Sequence, residues 1–339
     1  MSPLRRLLPD GFTASLLATV VLATLLPCRG AAALWLDRIT DVAIALLFFL
    51  HGAKLSREAI VRGATHWRLH LTVFACTFGL FPLLGLLLRP LAHALLTPEL
   101  TLGLLYVCTL PSTVQSSIAF TSIAGGNVPA AVVSASLSSL IGIVLTPLLV
   151  GLLLAVQGGA GSPLEGVRDI TLQLLLPFVA GHLLRPWIGG FVERHRPLIG
   201  FTDRGTILLV VYAAFGAAVV EGLWRSTPIL ALVLTLVLDA LLLALALLLT
   251  AFAGRRLGFA RADRITILFC GSKKSLASGV PMAKILFAGH AGGLGGLLLP
   301  LMIFHQLQLM VCAVLARRFA AQANVAAAPA HGASPGTGG

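Results

Sequence analysis

The sequence predicts an all-α membrane protein whose ten transmembrane helices form two inverted repeats of five. Three observations lead to this prediction. Hydrophobic residues make up 58% of the 339 residues, charged residues make up 11%, and the mean hydropathy is +0.98, whereas a soluble domain carries about 25% charged residues. Ten apolar segments approach the ~20 residues that a spanning helix needs. The fourth and ninth segments carry polar interruptions at matching places in the two halves, a pattern typical of transporters.

The apolar segments lack the strict alternation of a membrane barrel, so each is interpreted as a helix. Because each half contains five spans, the second half begins on the opposite side of the membrane from the first. We assign residues 1–157 to the first repeat and 163–319 to the second, with a glycine-rich boundary between them. Residues 320–339, rich in small residues, Pro and Gly, are expected to form a disordered cytoplasmic tail. The ten segments are 12–27, 33–50, 69–88, 100–124, 128–156, 170–187, 205–220, 228–252, 265–289 and 294–315.

The positions of the basic residues predict the topology. With the N-terminus in the cytoplasm, most Lys and Arg residues fall on the inner side, and both termini are cytoplasmic. We therefore expect a multi-pass protein of the cell (inner) membrane. The net charge of +12 then reflects topology and contact with anionic membrane lipids, and no nucleic-acid partner is expected. The first segment also resembles a cleaved signal peptide, but an uncleaved helix preserves the charge asymmetry and the repeat.

Several function classes have no support. Five cysteines are scattered without metal-ligand or redox spacing. The glycine-rich stretches lack the strand-then-helix context of a nucleotide loop. No nucleophile–base pair stands out, so the chain is not expected to be an enzyme, and no cofactor is expected beyond sodium as a coupling ion.

The two interruptions are the candidate binding site. Broken helices offer free N–H groups to anions and free carbonyls to cations. The alternative for the first interruption is a proline kink at Pro111, with hydroxyls that bond back to the helix. The candidate residues for substrate or ion binding are Gln115, Ser116 and Ser117 in the first interruption and Gly271, Ser272, Lys273, Lys274 and Ser275 in the second.

The two adjacent lysines require an explanation. Placing a charged side chain at membrane depth costs several kcal/mol unless the side chain faces a cavity or a partner. Consecutive residues point in different directions, so one lysine is expected to face the cavity while the other packs or snorkels. We favour Lys274 for the cavity. The alternative is that Lys273 and Lys274 both lie shallowly and only orient the helix. Lys284 lies nearer the end of the span and is expected to snorkel.

Further polar residues lie within other spans. Ser134 and Ser138 are four residues apart, so they can line one polar face of the fifth span. Asp239 is a lone carboxylate, and we interpret it either as the counter-ion of Lys273 or Lys274 or as a protonated acid in a helix contact. His305 is a candidate proton relay, with a hydrogen-bonded packing role as the alternative.

The segments around these residues resemble the bile acid:sodium symporter family (solute carrier family 10), in particular its member 7 branch and bacterial relatives. The similarity covers about residues 5–320. It implies that helices four and nine are broken and cross in a core domain, which lies beside a panel domain. The segments that carry the resemblance are 111–117, 125–127, 142–149, 266–270, 273–276, 279–282 and 287–290.

The resemblance also implies where sodium would bind. The family's sodium-dependent members bind two sodium ions near the crossing, so sodium is expected near Ser116 and Ser117, which stand where those members have a Ser–Asn pair. The family's other ligand positions are changed here: two hydroxyl ligands fall near Ala131 and Ala135, a Glu falls at Phe269 or Cys270, and a Gln falls at Lys273. Because a lysine ammonium can replace a bound cation electrostatically, the dependence on sodium is left open.

These observations predict a secondary transporter that works by alternating access. The resemblance implies a small-molecule organic anion as substrate, of the bile-acid-like or steroid-conjugate class. The protein is expected to be a monomer or a homodimer. The alternative is a non-transporting membrane regulator or receptor on the same fold. A metalloid or auxin-type efflux carrier is disfavoured, because an arsenite carrier would place a Cys where Ser112 follows Pro111.

Overall fold

The structure is a computed structural model that describes residues 11–54, 66–155, 163–220, 222, 225, 227–287 and 294–327. All regular elements in these ranges are helical, which confirms the all-α prediction. The helices are α1 (Gly11–Leu25), α2 (Ala31–Lys54), α3 (Trp67–Phe74), the π-helical segment π1 (Ala75–Leu80), α4 (Phe81–Leu95), α5 (Pro98–Thr109), α6 (Gln115–Ile123), α7 (Val128–Ala155), α8 (Pro163–Arg194), α9 (Arg196–Val220), α10 (Ile229–Arg256), α11 (Arg261–Gly271), α12 (Leu276–Leu286) and α13 (Leu294–Ala327).

Six of the described helices are long and apolar enough to cross a membrane: Trp67–Leu95, Val128–Leu153, Leu174–Arg194, Pro197–Val220, Ile229–Arg256 and Leu294–Gln322. Large apolar side chains point outward from several helices, as at Trp187 (77% exposed) and Ile229 (80% exposed). An outer surface of this kind suits lipid. The protein is therefore a multi-pass integral membrane protein.

The other predicted segments fall on shorter or interrupted helices. The first segment lies on α1, which has 15 residues, and the second lies on α2, which carries four Asp, Arg and Lys residues. The fourth segment comprises α5 and α6, and the ninth comprises α11 and α12. Helix α13 continues to Ala327, past the predicted start of the tail at residue 320. The repeat boundary at residue 157 and residues 328–339 lie outside the described ranges.

Helices α1, α2, α8 and α9 pack against one another as one group, and helices α3 to α7 with α10 to α13 form a second. Within the first group, α2 and α8 approach closely at Gly52 and Gly181. A Cβ atom at either glycine would overlap a backbone carbonyl of the facing helix. Small residues at such contacts let the backbones of membrane helices approach and pack tightly.

The span from Trp67 to Leu95 contains one irregular turn. In π1, the Phe81 N–H donates to the Cys76 carbonyl, five residues back. The carbonyl of Thr77 then has no donor within the helix, because Phe81 is taken and Pro82 has no N–H. A π-helical turn of this kind often marks a functional site, and here it leaves an acceptor inside the second group of helices.

The structure contains both interruptions that the sequence predicts. The chain leaves helical geometry from Leu110 to Val114, between α5 and α6, and from Ser272 to Ser275, between α11 and α12. The first break coincides with Pro111, whose ring removes a backbone donor and disfavours a helical residue before it. We name these segments the first break (Leu110–Val114) and the second break (Ser272–Ser275).

Candidate ion and substrate site

The two breaks lie against each other in the interior of the second group of helices. Ser112 Oγ donates to the Cys270 carbonyl at 2.6 Å, and Ser117 Oγ donates to the Phe269 carbonyl at 3.0 Å. In return, the backbone N–H of Ser275 donates to the Pro111 carbonyl at 2.9 Å. Each break thus satisfies backbone groups that the other leaves free, as the membrane interior requires.

Lys274 is the most enclosed charge of this site. Its residue is fully buried, and its Nζ atom donates to three backbone carbonyls: Thr77 at 2.7 Å, Leu110 at 2.7 Å and Cys108 at 3.2 Å. Nζ also lies 4.1 Å from the ring centroid of Phe81, within cation–π range. An ammonium has three protons, so these carbonyls use all of them. We call Thr77, Cys108 and Leu110 with their carbonyls the carbonyl cage.

Local structure explains why the cage oxygens are available. The Thr77 carbonyl is released by the π turn. The Cys108 carbonyl would normally accept from the N–H of Ser112, but that N–H donates to Ser138 Oγ on α7 at 3.0 Å. The Leu110 carbonyl belongs to the break itself. Ser138, predicted as a binding residue, therefore helps to build the cage by holding the first break open.

Gln308 on α13 fixes the backbone of the second break. Its Oε1 accepts from the Lys274 N–H at 2.8 Å, and its Nε2 donates to the Lys274 carbonyl at 2.8 Å. The same Nε2 lies 2.9 Å from His305 Nδ1. Gln308 is fully buried, so this pair of bonds replaces the helical bonds that Lys274 lacks. His305 therefore contacts the group that holds the second break.

Lys273 has a different environment from its neighbour. It is also buried, but its Nζ forms one hydrogen bond within the described residues, to Ser116 Oγ at 3.2 Å. Its Nζ lies 4.1 Å from the ring centroid of Phe120. Ser116 is half-buried, and the neighbouring Gln115 is exposed. The sequence argument favoured Lys274 for the cavity, yet Lys273 is the lysine that retains free donors beside an exposed edge.

The remaining predicted residues of the two breaks have structural contacts. Ser272 Oγ donates back to the Leu268 carbonyl at 2.6 Å, and Ser275 caps α12 by accepting from the Ser278 N–H at 3.2 Å. A Cβ at Gly271 would lie 2.8 Å from a methyl group of Thr250, so glycine is required by space. All three residues are buried.

Two predicted residues lie apart from the contact between the breaks. Ser134 on α7 pairs with His70 Nδ1 on α3 at 2.7 Å, in a buried contact. Asp239 on α10 is fully buried, and neither of its oxygens has a partner within the described residues. Neither lysine reaches it as a counter-ion, because Lys274 donates to the cage and Lys273 donates to Ser116.

Lys284 does not simply snorkel to the membrane surface. Its Nζ lies 2.8 Å from Asp37 Oδ1 and 2.8 Å from Asp41 Oδ1, and it donates to the Asp37 carbonyl at 2.9 Å. Both carboxylates are more than 60% exposed, whereas Lys284 is 11% exposed. Lys284 belongs to α12 and the two acids to α2, so this ion pair joins the two groups of helices.

Sequence reasoning missed two residues of this site, Thr77 and Gln308, and the buried partner of Ser134, His70. Thr77 matters through its carbonyl, and the local signal was the Pro82 that follows in an apolar run. Gln308 and His70 are polar residues in apolar spans, which is a functional signal in membrane proteins. Within the described ranges, no three His, Cys, Asp or Glu side chains cluster as a metal site.

Two broken helices in contact inside an integral membrane protein, with charges and free backbone groups at their contact, are typical of secondary transporters. Comparison with known proteins agrees with this class. Residues 10–321 match the model of the SBF-like CPA transporter family, and the chain belongs to this family.

The chain is also similar to individual curated proteins. It is 62% identical to an uncharacterised protein of Pseudomonas aeruginosa, over 95% of this chain and 96% of the relative. It is 57% identical to a protein of Escherichia coli K12 named "Putative symporter YfeH", over 92% and 93% of the two chains. It is 31% identical to sodium/bile acid cotransporter 7 of Rattus norvegicus, over 82% of each.

Proposed function

We propose that this protein is a secondary transporter of an organic anion that works by alternating access, with Lys274 as a permanent internal cation. The observation that carries the proposal is the carbonyl cage. Three carbonyl oxygens at the contact of two broken helices are the ligand type that a bound alkali cation takes, and here a lysine ammonium occupies that position. The proposed class of substrate follows from the free positive charge of Lys273 and from the printed name of the rat relative.

The proposed roles of the two lysines differ. Lys274 neutralises the cage and holds the two breaks together in the absence of sodium. Lys273, with Ser116 and the exposed Gln115, attracts the anion from the open side. The N-terminus of α6 adds partial positive charge beside Gln115. This assignment reverses the order that the sequence suggested, because only Lys273 has ammonium protons to spare.

The contacts between helices support an arrangement of ten spans as two inverted repeats. In span numbers, α1 and α2 are spans one and two, and α8 and α9 are spans six and seven. Span one packs on span seven, and span six packs on span two, as a twofold relation between the halves requires. The same relation pairs the first break with the second. We propose that the first group of helices is the panel domain and the second group the core domain, with both termini in the cytoplasm.

The contacts between these groups support alternating access. The panel contacts the core mainly through α12 and α13, apart from the contact between the consecutive helices α7 and α8. Within the described residues, α6 and α11 make no substantial contact with the panel. If Arg261 at the start of α11 is cytoplasmic, α12 lies in the outer half of the membrane. The outer side is then closed, and the pairs of Lys284 with Asp37 and Asp41 close it further. Opening outward requires these pairs to separate.

The first test is uptake of labelled taurocholate into proteoliposomes, with an inward sodium gradient or with potassium in place of sodium. We expect uptake that is the same in both salts and that falls at least tenfold in Lys273→Gln. The matched control is Lys54→Gln, which removes an ammonium that pairs with Asp203 inside the panel group. Sodium-stimulated uptake would refute the role of Lys274, and wild-type uptake by a folded Lys273→Gln protein would refute the role of Lys273.

A second test addresses alternating access through the Lys284 pair. Cysteines at positions 41 and 284 should cross-link on oxidation and stop uptake, and reduction should restore it. Cysteines at 54 and 203 replace an ion pair at 2.6 Å within one group, so their cross-link should leave uptake unchanged. Uptake that survives a complete 41–284 cross-link would show that the two groups need not separate there.

A further inference from the structure

Asp239 lies near the middle of the apolar helix α10 and on its buried face. It is ten residues into α10, about 15 Å along the helix axis from Ile229, which is half of a hydrocarbon core of ~30 Å. Its neighbours on the buried face of α10 include Thr235, Leu238 and Leu242. The carboxyl group therefore points into the protein rather than toward lipid.

This carboxyl group is fully buried, and neither oxygen has a hydrogen-bond or ion-pair partner in the described part of the chain. Burial of an unpaired carboxylate in an apolar interior is strongly unfavourable, and such a group neutralises instead. An apolar side chain would serve packing better on this face. A carboxyl group that stays without a partner at this depth is therefore expected to have a function.

The structure also connects Asp239 with the cage. Two carbonyls of the cage belong to π1 and α5, since those of Thr77 and Cys108 accept from Lys274 Nζ. Helix α10 packs against π1, α4, α5, α11 and α13. The titratable groups on these elements include Cys76 of π1, Cys108 of α5 and Cys270 of α11, and His305 of α13 lies beside Gln308. Asp239 thus stands on a helix that packs against two of the elements that form the cage.

We propose that Asp239 is the binding site of a coupling proton. In the conformation described, the carboxyl group holds the proton and is neutral, so Lys274 stays in the cage. Release of the proton leaves a buried carboxylate that attracts the Lys274 ammonium. Any shift of that ammonium toward Asp239 removes donors from the cage and loosens the contact between the breaks. Proton binding and the geometry of the site are linked in this way. This inference rests on the proposed transport function.

The decisive experiment is infrared spectroscopy of the full-length protein in liposomes during a pH titration. A protonated carboxylic acid has a C=O stretching band that a carboxylate lacks. We expect such a band at neutral pH in the wild type, its loss as the pH rises, and its absence from Asp239→Asn at neutral pH and above, where exposed carboxyl groups are ionised. The control is Glu99→Gln, in the first turn of α5, which should retain the band. A wild type without the band, or with a band that survives at every pH at which the protein is folded, would overturn the proposal.

Transport separates this inference from the proposed function. Taurocholate uptake by the wild type should rise at least fivefold with an inward proton gradient, and Asp239→Asn should lose that increase while Asp239→Glu regains part of it. If uptake occurs but ignores the gradient, transport stands and the proton site fails. If taurocholate is not taken up while the infrared band titrates and depends on Asp239, the proton site stands and the proposed substrate fails.

Discussion

Replacement of Lys274 by alanine is expected to destabilise the protein and to create a binding site for an alkali cation. The substitution removes the ammonium but leaves the three carbonyl oxygens of Thr77, Cys108 and Leu110 without donors. Each orphaned acceptor costs about 1 kcal/mol or more. Relief from burying the charge offsets part of this loss. We therefore expect the free energy of unfolding to fall by about 3 kcal/mol.

The space that the side chain leaves is lined by the same oxygens, so Na⁺ or K⁺ can take the place of the ammonium. A cation that binds the folded state stabilises it by about 2.7 kcal/mol at a concentration 100 times its Kd. The assay is thermal unfolding in detergent with NaCl, KCl or choline chloride at equal ionic strength. Lys274→Ala should unfold at a lower temperature in choline and recover in one alkali salt, whereas the wild type should not discriminate between the salts.

Lys273→Ala is the matched control. It also removes an ammonium, but among the described contacts it breaks only one hydrogen bond, the one that Lys273 donates to Ser116. It should cost about 1 kcal/mol and show no dependence on the salt. Wild-type stability of Lys274→Ala would show that the cage is not a stabilising element. Equal recovery of both alanine variants in NaCl would show that the effect of sodium does not arise in the cage.

Three further substitutions test how the site is built. Gln308→Leu leaves the N–H and the carbonyl of Lys274 unpaired, so it should lower the free energy of unfolding by about 2 kcal/mol in chemical denaturation. A loss below ~0.5 kcal/mol would show that the two Gln308 hydrogen bonds do not hold the second break. Ser138→Ala removes the acceptor of the Ser112 N–H and should cost about 1 kcal/mol and slow uptake, while wild-type values in both assays would exclude a role for it in the first break. Gly181→Ala adds a methyl group where α8 touches the backbone of α2 and should abolish stable folding, measured as the monodisperse fraction after detergent extraction.

The sequence predicts the class of fold and both breaks, because these depend on local chemistry. Hydrophobic composition decides the environment, Pro111 removes a backbone donor, and the cluster at residues 271–275 cannot continue an apolar helix without a partner. The identity of each partner depends on packing between distant segments. Lys274 binds Thr77, which lies in an apolar run without any polar pattern, and Gln308 contacts the second break from α13. The periodicity of apolar residues along one helix does not show which distant segments contact it.

The choice between the two lysines also depended on tertiary structure. Consecutive residues at a helix break differ in direction, and the sequence shows only that they differ. In the structure, Lys274 points toward π1 and the first break, whereas Lys273 points toward Phe120 and Ser116 on α6. The π turn contributes to this difference, since it frees the Thr77 carbonyl that receives the Lys274 ammonium. Without that turn, Lys274 would have a spare proton, but it would still donate to Cys108 and Leu110, against the one hydrogen bond of Lys273.

A lysine in the position of a bound cation changes the energetics of transport as well as the site. A sodium ion that binds and dissociates brings the free energy of its gradient into the cycle. A tethered ammonium supplies the same local charge but cannot leave, so it stabilises the site without coupling it to any gradient. If Lys274 has the proposed role, ion-coupled concentrative transport requires a second group that binds and releases an ion. The proposed proton site, Asp239, would be that group: its carboxyl group is buried and has no partner among the described residues, and the charge that it would gain on losing a proton is opposite in sign to the charge of Lys274.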